Sequence, residues 1–570
     1  LKGMSGMTAK KKPALTALLL AGCLILSAFL SGCSKKAIDT NSSANSESSA
    51  GETYTGKIKE IQGSTITLAL GTLQSGAGGP SGTKSGSTPP AAPGGTSGSE
   101  GGFGAQFQAN GSTKTISFSS STAITISGSA FSLMANELAV GDVVAVTMDS
   151  TTISAVSIQV FAAQGDGTSG SIALTATKEI NGTTSTLNNQ KLVSAQSNQN
   201  SLLVTNGGSL VLNDSEVTKS GDTTSEDESN FFGLNAAVAA ASASTLTINS
   251  SSITTSAEGA NAVFATGENT VVRAADLVIH TAGNSSRGLD ATYGGSIIAQ
   301  NVTVTTTGAH CAALATDRGG GTVSVEGGTL DTSGDGSPCI YSTGSISASS
   351  VTGTAGDSQC MVIEGKNSIT LDGSTLTGSG KNGVMLYQST SGDAAEGTSV
   401  LTVSDSTLTT KSTGAMFYIT NTDAKIQISD TKLSFSSGTL VEAAGNSTNN
   451  WGTPGSNGGK LIMNASKQTL AGNIVCDSIS TVFLALQSST LSGAIDKENQ
   501  GTVSLALDAD STWTVTGNSY LTELTDNDQT LANIRSNGFT VSYDSANASN
   551  SWLAGKTYSL TGGGTLRPMQ

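Results

Sequence analysis

The chain is short of the residues on which most enzymes and nucleic-acid-binding proteins depend. Two histidines and six cysteines in 570 residues leave little material for a zinc centre or a histidine-dependent triad. Aromatic residues make up 4%, too few for one large conventional core. Charged residues are only 12%, which argues against a chain kept unfolded and soluble by repulsion. The charge that exists is mostly of one sign: 42 acidic against 27 basic residues, a formal net of −15. Phosphate binding needs a basic patch, so this balance excludes nucleic acid as a partner. What is abundant is small and polar: 70 glycines, with Ser and Thr together about 29% of the chain. Such a composition suits a surface or scaffold protein better than an enzyme.

The first 33 residues set the compartment. Lys10, Lys11 and Lys12 precede an apolar run from Leu15 to Leu30. The run is too short and too interrupted to span a membrane, which takes about 20 residues. A basic segment, a short apolar segment and small residues before a cut are the parts of a secretion signal. Leu30-Ser31-Gly32-Cys33 also resembles the bacterial lipobox. The resemblance implies that Cys33 takes a diacylglycerol and anchors the chain, extracytoplasmically, to a bacterial membrane or cell surface. Leu20-Ala21-Gly22-Cys23 has the same form, but a cut there would leave a very short apolar segment. Residues 34–52, rich in Ser, Asn, Ala and Glu, read as a flexible stalk.

Residues 53–163 carry short alternating β patterns and are expected to form a small β-barrel. Gly56 to Ile61 leads through Gln62-Gly63 into Ser64 to Leu68, a hairpin signal. Residues 71–111 hold four of the eight prolines among Gly and Ser, and read as a disordered loop. The stretch Glu137 to Val144 resembles a turn found in small secreted bacterial β-barrel domains, which implies a fold and no activity.

From 164 to 510 one phrase recurs: an alternating apolar strand, a polar corner, then another branched apolar residue. Ser209-Leu210-Val211-Leu212-Asn213-Asp214-Ser215-Glu216-Val217 is one copy, and Ser368-Ile369-Thr370-Leu371-Asp372-Gly373-Ser374-Thr375-Leu376 is another. A period in the low twenties, stretched by insertions, is a solenoid signal. The apolar residues alternate with period two and show no helical periodicity. Asn, Asp and Gly stand at the corners, where left-handed backbone costs them little. These features predict an all-β fold: a right-handed parallel β-helix whose coils bury one another's inner faces. Residues 511–570 depart from the repeat and bring Trp513, Phe539, Tyr543, Trp552 and Tyr558, an expected aromatic cap over the last coils.

Chemistry-bearing patterns are few. Asn421-Thr422-Asp423 resembles one short polygalacturonase motif, but the paired-Asp, Gly-His-Gly and Arg-x-Lys motifs of that family are absent. His280 and His310 fall near turns and read as surface residues. Asp317, Asp331, Asp335 and Asp357 also fall at turns. Calcium is a candidate ligand for them, although no known calcium-loop spacing organises them. Cys311, Cys339 and Cys360 each open an apolar triplet in consecutive coils. They are expected to stack as a ladder of buried thiols, or to form a disulfide between neighbouring coils. The strand holding Cys360 looks apolar on both faces in its later copies. Either Met385, Tyr387, Met416 and Tyr418 form an exposed stripe for a sugar or protein ligand, or insertions near 389–397 and 445–459 cover them.

In repeat style and export context the chain resembles bacterial adhesin-like surface lipoproteins and the carbohydrate-binding, pectin-lyase-like β-helix proteins. That resemblance implies calcium-assisted binding of an acidic polysaccharide without cleavage. The expectation is therefore a non-enzymatic adhesin or polysaccharide binder, with a pectin-type lyase or hydrolase and a ligand-free surface spacer as alternatives.

Overall fold

The computed structural model describes residues 172–569 continuously and, before them, seven strands between Thr53 and Phe161. The signal segment, the stalk and Cys33 lie outside the described residues.

The seven strands are β1 (Thr53–Gln62), β2 (Thr65–Gln74), β3 (Gln106–Ser117), β4 (Ala123–Ile126), β5 (Ser132–Leu133), β6 (Val143–Met148) and β7 (Ala155–Phe161). They form one sheet in the order β3-β2-β1-β6-β7-β4-β5, antiparallel except for the β4/β7 pair. The expected hairpin is present, with Gln62 opposite Thr65. Ile58, Ile66, Leu68, Ile116, Val144 and Val146 bury one face. Among the described residues no pairing joins the edges β3 and β5. The Gly/Ser/Pro-rich segment is not loop throughout. Strand pairing runs on past Gly71 to Gln74 and resumes at Gln106, with Leu73 opposite Phe107. Residues 75–105 lie outside the described residues.

From Ala176 onward the chain winds into a right-handed parallel β-helix of about 16 turns. Two sheets of 21 and 12 strands run along it, joined near the C-terminus by two shorter sheets of four strands each. Successive strands pair in register, as in Leu210 with Leu246 and Leu212 with Ile248. The inner face of every coil is filled by Leu, Ile, Val and Ala stacked on their equivalents above and below, which gives one continuous core.

The repeated polar corner has a direct physical cause. Asp214, Asp276, Asp405 and Asp430, each at the same corner, have φ of 48°, 54°, 48° and 45°. Short polar side chains tolerate this left-handed conformation best. The next residue is commonly a buried Ser or Thr. Ser215 accepts from the Gln190 amide at 3.0 Å and donates to the Asn213 carbonyl at 2.7 Å. Ser251 and Ser374 repeat the arrangement on Ser215 and Val351. Each corner hydroxyl thus satisfies a backbone N–H of the preceding coil, which burial would otherwise leave unpaired.

The C-terminal end is closed partly as expected. Asn550 accepts from the Leu524 amide at 2.9 Å and donates to the Thr522 carbonyl at 2.9 Å, so its side chain occupies a strand edge. Trp552 and Tyr558 pack against the core beside buried Tyr543. Two expected cap residues differ. Trp513 is an inner core residue whose indole donates to the Gly493 carbonyl, and Phe539 is exposed.

Candidate functional site

The twelve-stranded sheet carries the chemistry on its outer face. A solvated outer face should alternate apolar with polar residues. Here several strands are buried on both faces, including Val238–Ala241, Leu289–Thr292, Met361–Glu364 and Val384–Tyr387. Three insertions are the reason.

The first carries helix α1 (Glu226–Phe232), capped by Ser225 and ended by Gly233 at φ 75°. A side chain at Gly233 would meet the Phe264 ring, so the helix end sits directly on that outer-face aromatic. Phe232 stacks on Tyr293 with centroids 5.3 Å apart, and the Arg318 guanidinium lies 4.0 Å above the Phe231 ring. The second insertion, residues 388–397, bonds to the same arginine: Asp393 Oδ1 is 2.7 Å from Arg318 Nη2. The third, residues 445–458, brings Trp451 onto Tyr387. The second and third are tied together, since the Thr390 amide donates to the Asn450 carbonyl at 2.7 Å.

Beneath the first two insertions lies a strip of buried charge. Asp290 is fully buried, and Asp317, Arg287 and Glu364 nearly so. Arg287 pairs with Asp317 at 3.1 Å, and its guanidinium also donates to Asn230 of the helix. Neither oxygen of Asp290 accepts a well-formed hydrogen bond. Burial pushes the Asp290 carboxyl well above the usual range, helped by the charge on Asp317 and only partly offset by Arg287. Burial likewise lifts Asp317 to about 6, against the pull of Arg287. Two acids thus share one guanidinium. Glu364 is differently placed, for its carboxylate accepts from Tyr341 and Tyr387 at 2.6 Å each and from Ser389. It is the hub that fixes both tyrosines.

Beyond this roofed strip the face opens into a cleft of about 690 Å³. Met385, Tyr418 and Glu442 form its floor on three successive rungs, and Trp451 forms a wall. Gln359, Lys381, Asn382, Asp477 and Ile479 also line it, with Ser447, Thr448 and other residues of the third insertion. The wall is held firmly. Asn457 donates to the Asn446 and Trp451 carbonyls at 2.9 Å, and Asp477 accepts from the Gly445 and Ile479 amides at 2.7 and 3.2 Å.

The expected stripe is therefore revised. Met385 and Tyr387 do face outward, but each is only 8% exposed because the insertions cover them. Met416 points the other way, into the main core, because the residue paired with Met385 is Tyr418. Tyr418 alone keeps a substantial exposed edge.

The thiol ladder is shorter than expected. Cys339 and Cys360 immediately precede the paired residues Ile340 and Met361, and so occupy equivalent positions. Cys311 lies elsewhere, three residues before its strand, where it replaces a corner serine. The Ser286 amide donates to its sulfur at 3.0 Å, and its own amide donates to Ser337 Oγ at 2.9 Å. All three are free thiols, as is Cys476, so the disulfide is not formed. Burial pushes Cys339 well above the usual thiol range and Cys360 to about 12.

Of the four turn acids, Asp331, Asp335 and Asp357 are exposed, as are His280 and His310. Asp317 is the exception, buried against Arg287. Asn421-Thr422-Asp423 forms a corner: Asn421 has φ 52° and donates to the Gln388 carbonyl, while Asp423 pairs with Lys460 of the next coil at 3.4 Å. Both contacts tie the corner to neighbouring coils. Asp290, Arg287 and Glu364 escape a reading of the sequence. The only local signal is a charged residue inside strands otherwise apolar on both faces.

No family model, no curated protein and no solved structure matches this chain.

Proposed function

We propose that the protein binds polysaccharide without cleaving it, at a bacterial cell surface to which lipidated Cys33 tethers it. The observation that carries this reading is the open cleft. An aromatic floor and wall, Tyr418 and Trp451, stand beside amide and carboxyl groups on a rigid scaffold. Sugar rings present apolar C–H faces and hydroxyl rims, which call for that combination. Trp451 is held in place before any ligand arrives, so little ordering entropy opposes binding.

A lyase or hydrolase is the second reading, favoured by the presence of Asp290, Asp317 and Glu364 on one face. Acid–base chemistry requires carboxyls within reach of the substrate. Asp290 is sealed under α1 and Glu364 is committed to two tyrosines and a serine, which supports binding over cleavage.

A glycan array probed with the full-length protein tests the proposal. Retention with no release of reducing ends or unsaturated products supports it. Product release would establish the enzyme instead, and silence in both assays would leave a spacer. The tether is tested separately: Cys33→Ala should abolish lipid labelling and free the protein from the membrane fraction.

A further inference from the structure

We infer that the ligand of the open cleft is an uncharged glycan whose flat, equatorially substituted sugar faces rest on Tyr418 and Trp451, and not a polyuronate. The inference rests on the binding function proposed above and narrows its ligand.

Charge is the first argument. One cation, Lys381, lines the cleft beside two carboxyl groups, Glu442 and Asp477. A polyuronate carries a carboxylate on every sugar, so it would bring repeated negative charge to a negative surface on a chain of net charge −15. Calcium bridging is the usual escape from that repulsion, and it needs several free oxygen ligands at one point. Both oxygens of Asp477 already accept backbone amides, which leaves Glu442 as the one carboxylate without a bonded partner there. Among the described residues no three acidic, His or Cys side chains gather closely enough to hold a metal ion.

Shape is the second argument. Tyr418 and the Trp451 wall offer an exposed apolar surface, with the buried Met385 beneath one end of it. Ile479, 38% exposed, extends it at the rim. An axial substituent blocks the ring face from which it projects, whereas an all-equatorial ring can lie flat on either face. Asn457, Gln359 and the Oδ1 of Asn382 are bonded within the protein, so polar recognition falls to Lys381, Glu442 and the hydroxyls of Ser447, Thr448 and Ser478.

Native affinity electrophoresis of the full-length protein provides the test, in gels holding mixed-linkage β-glucan, polygalacturonate with calcium, polygalacturonate with chelator, or chitosan. Retardation by the β-glucan alone, unchanged at raised salt, is the expected result. Trp451→Ala should weaken it at least tenfold, whereas Glu326→Gln, an exposed carboxylate on the 21-stranded sheet outside the cleft, should leave it unchanged. Retardation by polygalacturonate or by chitosan in place of β-glucan would overturn the uncharged class yet leave polysaccharide binding standing. Retardation by none of them, or β-glucan binding indifferent to Trp451→Ala, would remove this cleft as a glycan site altogether.

Discussion

The Tyr387 and Trp451 rings pack with centroids 4.6 Å apart and planes tilted by 44°, which joins a strand of the solenoid to an insertion far along the chain. The same tyrosine donates to buried Glu364 at 2.6 Å. Its replacement by serine therefore removes packing and a hydrogen bond together. Tyr387→Ser should cost about 3–5 kcal/mol in chemical denaturation. Tyr418→Ser, at a partly exposed site, should cost about 1 kcal/mol or less while weakening glycan retention. Equal losses of stability in the two variants would contradict the distinction drawn between covered and open aromatics.

The solenoid is legible in the sequence because its rules are local. Asp214, Asp405 and Ser374 betray the corners by their chemistry, and strands such as Leu246 to Ile248 alternate as an inward face requires. The site is not local. Arg318 meets Phe231 on one insertion and Asp393 on another, and neither contact leaves a mark at either position. Spacing alone also misplaces a residue by a fraction of a turn. Cys311 and Cys339 both open apolar triplets, yet they stand two positions apart relative to their strands, because loop lengths between coils vary. Met416 is the same kind of case: one residue of register turns a side chain from the outer face to the core.

Stability should fall as pH rises between about 5 and 7. Burial raises the carboxyls of Asp290, Asp317, Asp496 and Asp526 above the ordinary Asp value. The folded state therefore keeps protons that the unfolded chain has released, and this advantage fades as pH climbs through the folded pKa values, about 6 for Asp317. Lys219, lowered by burial to about 8, titrates above this window. A melting temperature higher at pH 5 than at pH 7 is expected. Asp290→Asn should flatten the slope and raise the value at pH 7, since Arg287 would then face Asp317 alone. An unaltered slope in that variant would place the titrating groups elsewhere.

The buried thiols should be inert in the folded protein. Burial raises all four of Cys311, Cys339, Cys360 and Cys476, so almost no thiolate is present at mildly alkaline pH. Alkylation by iodoacetamide followed by peptide mass spectrometry should leave these four unmodified until denaturant is added. Modification of Cys339 or Cys360 in the native state would show that the coils open locally there.

The stacking of coils itself can be tested at two positions that fail for different reasons. Ser374 is 2% exposed, accepts from the Val351 amide at 3.1 Å and donates to the Asp372 carbonyl at 2.7 Å. Alanine there fits the space but leaves the buried Val351 N–H without its partner, so Ser374→Ala should cost about 1–3 kcal/mol. Gly328 has φ 119°, and a Cβ on it would fall 2.0 Å from the Val302 carbonyl oxygen of the preceding coil. Strand spacing in a solenoid is fixed near 4.8 Å by the hydrogen-bond ladders on every side. The two backbones cannot separate at one point without breaking those ladders. Gly328→Ala should accordingly cost more than Ser374→Ala, by strain and lost pairing instead of an unmet hydrogen bond. Threonine distinguishes the mechanisms: Ser374→Thr keeps the hydroxyl and should recover most of the loss, whereas Gly328→Thr should be worse than Gly328→Ala. Urea denaturation of the four variants reads the order directly, and a milder effect at Gly328 than at Ser374 would mean that the coils are not in the close contact described.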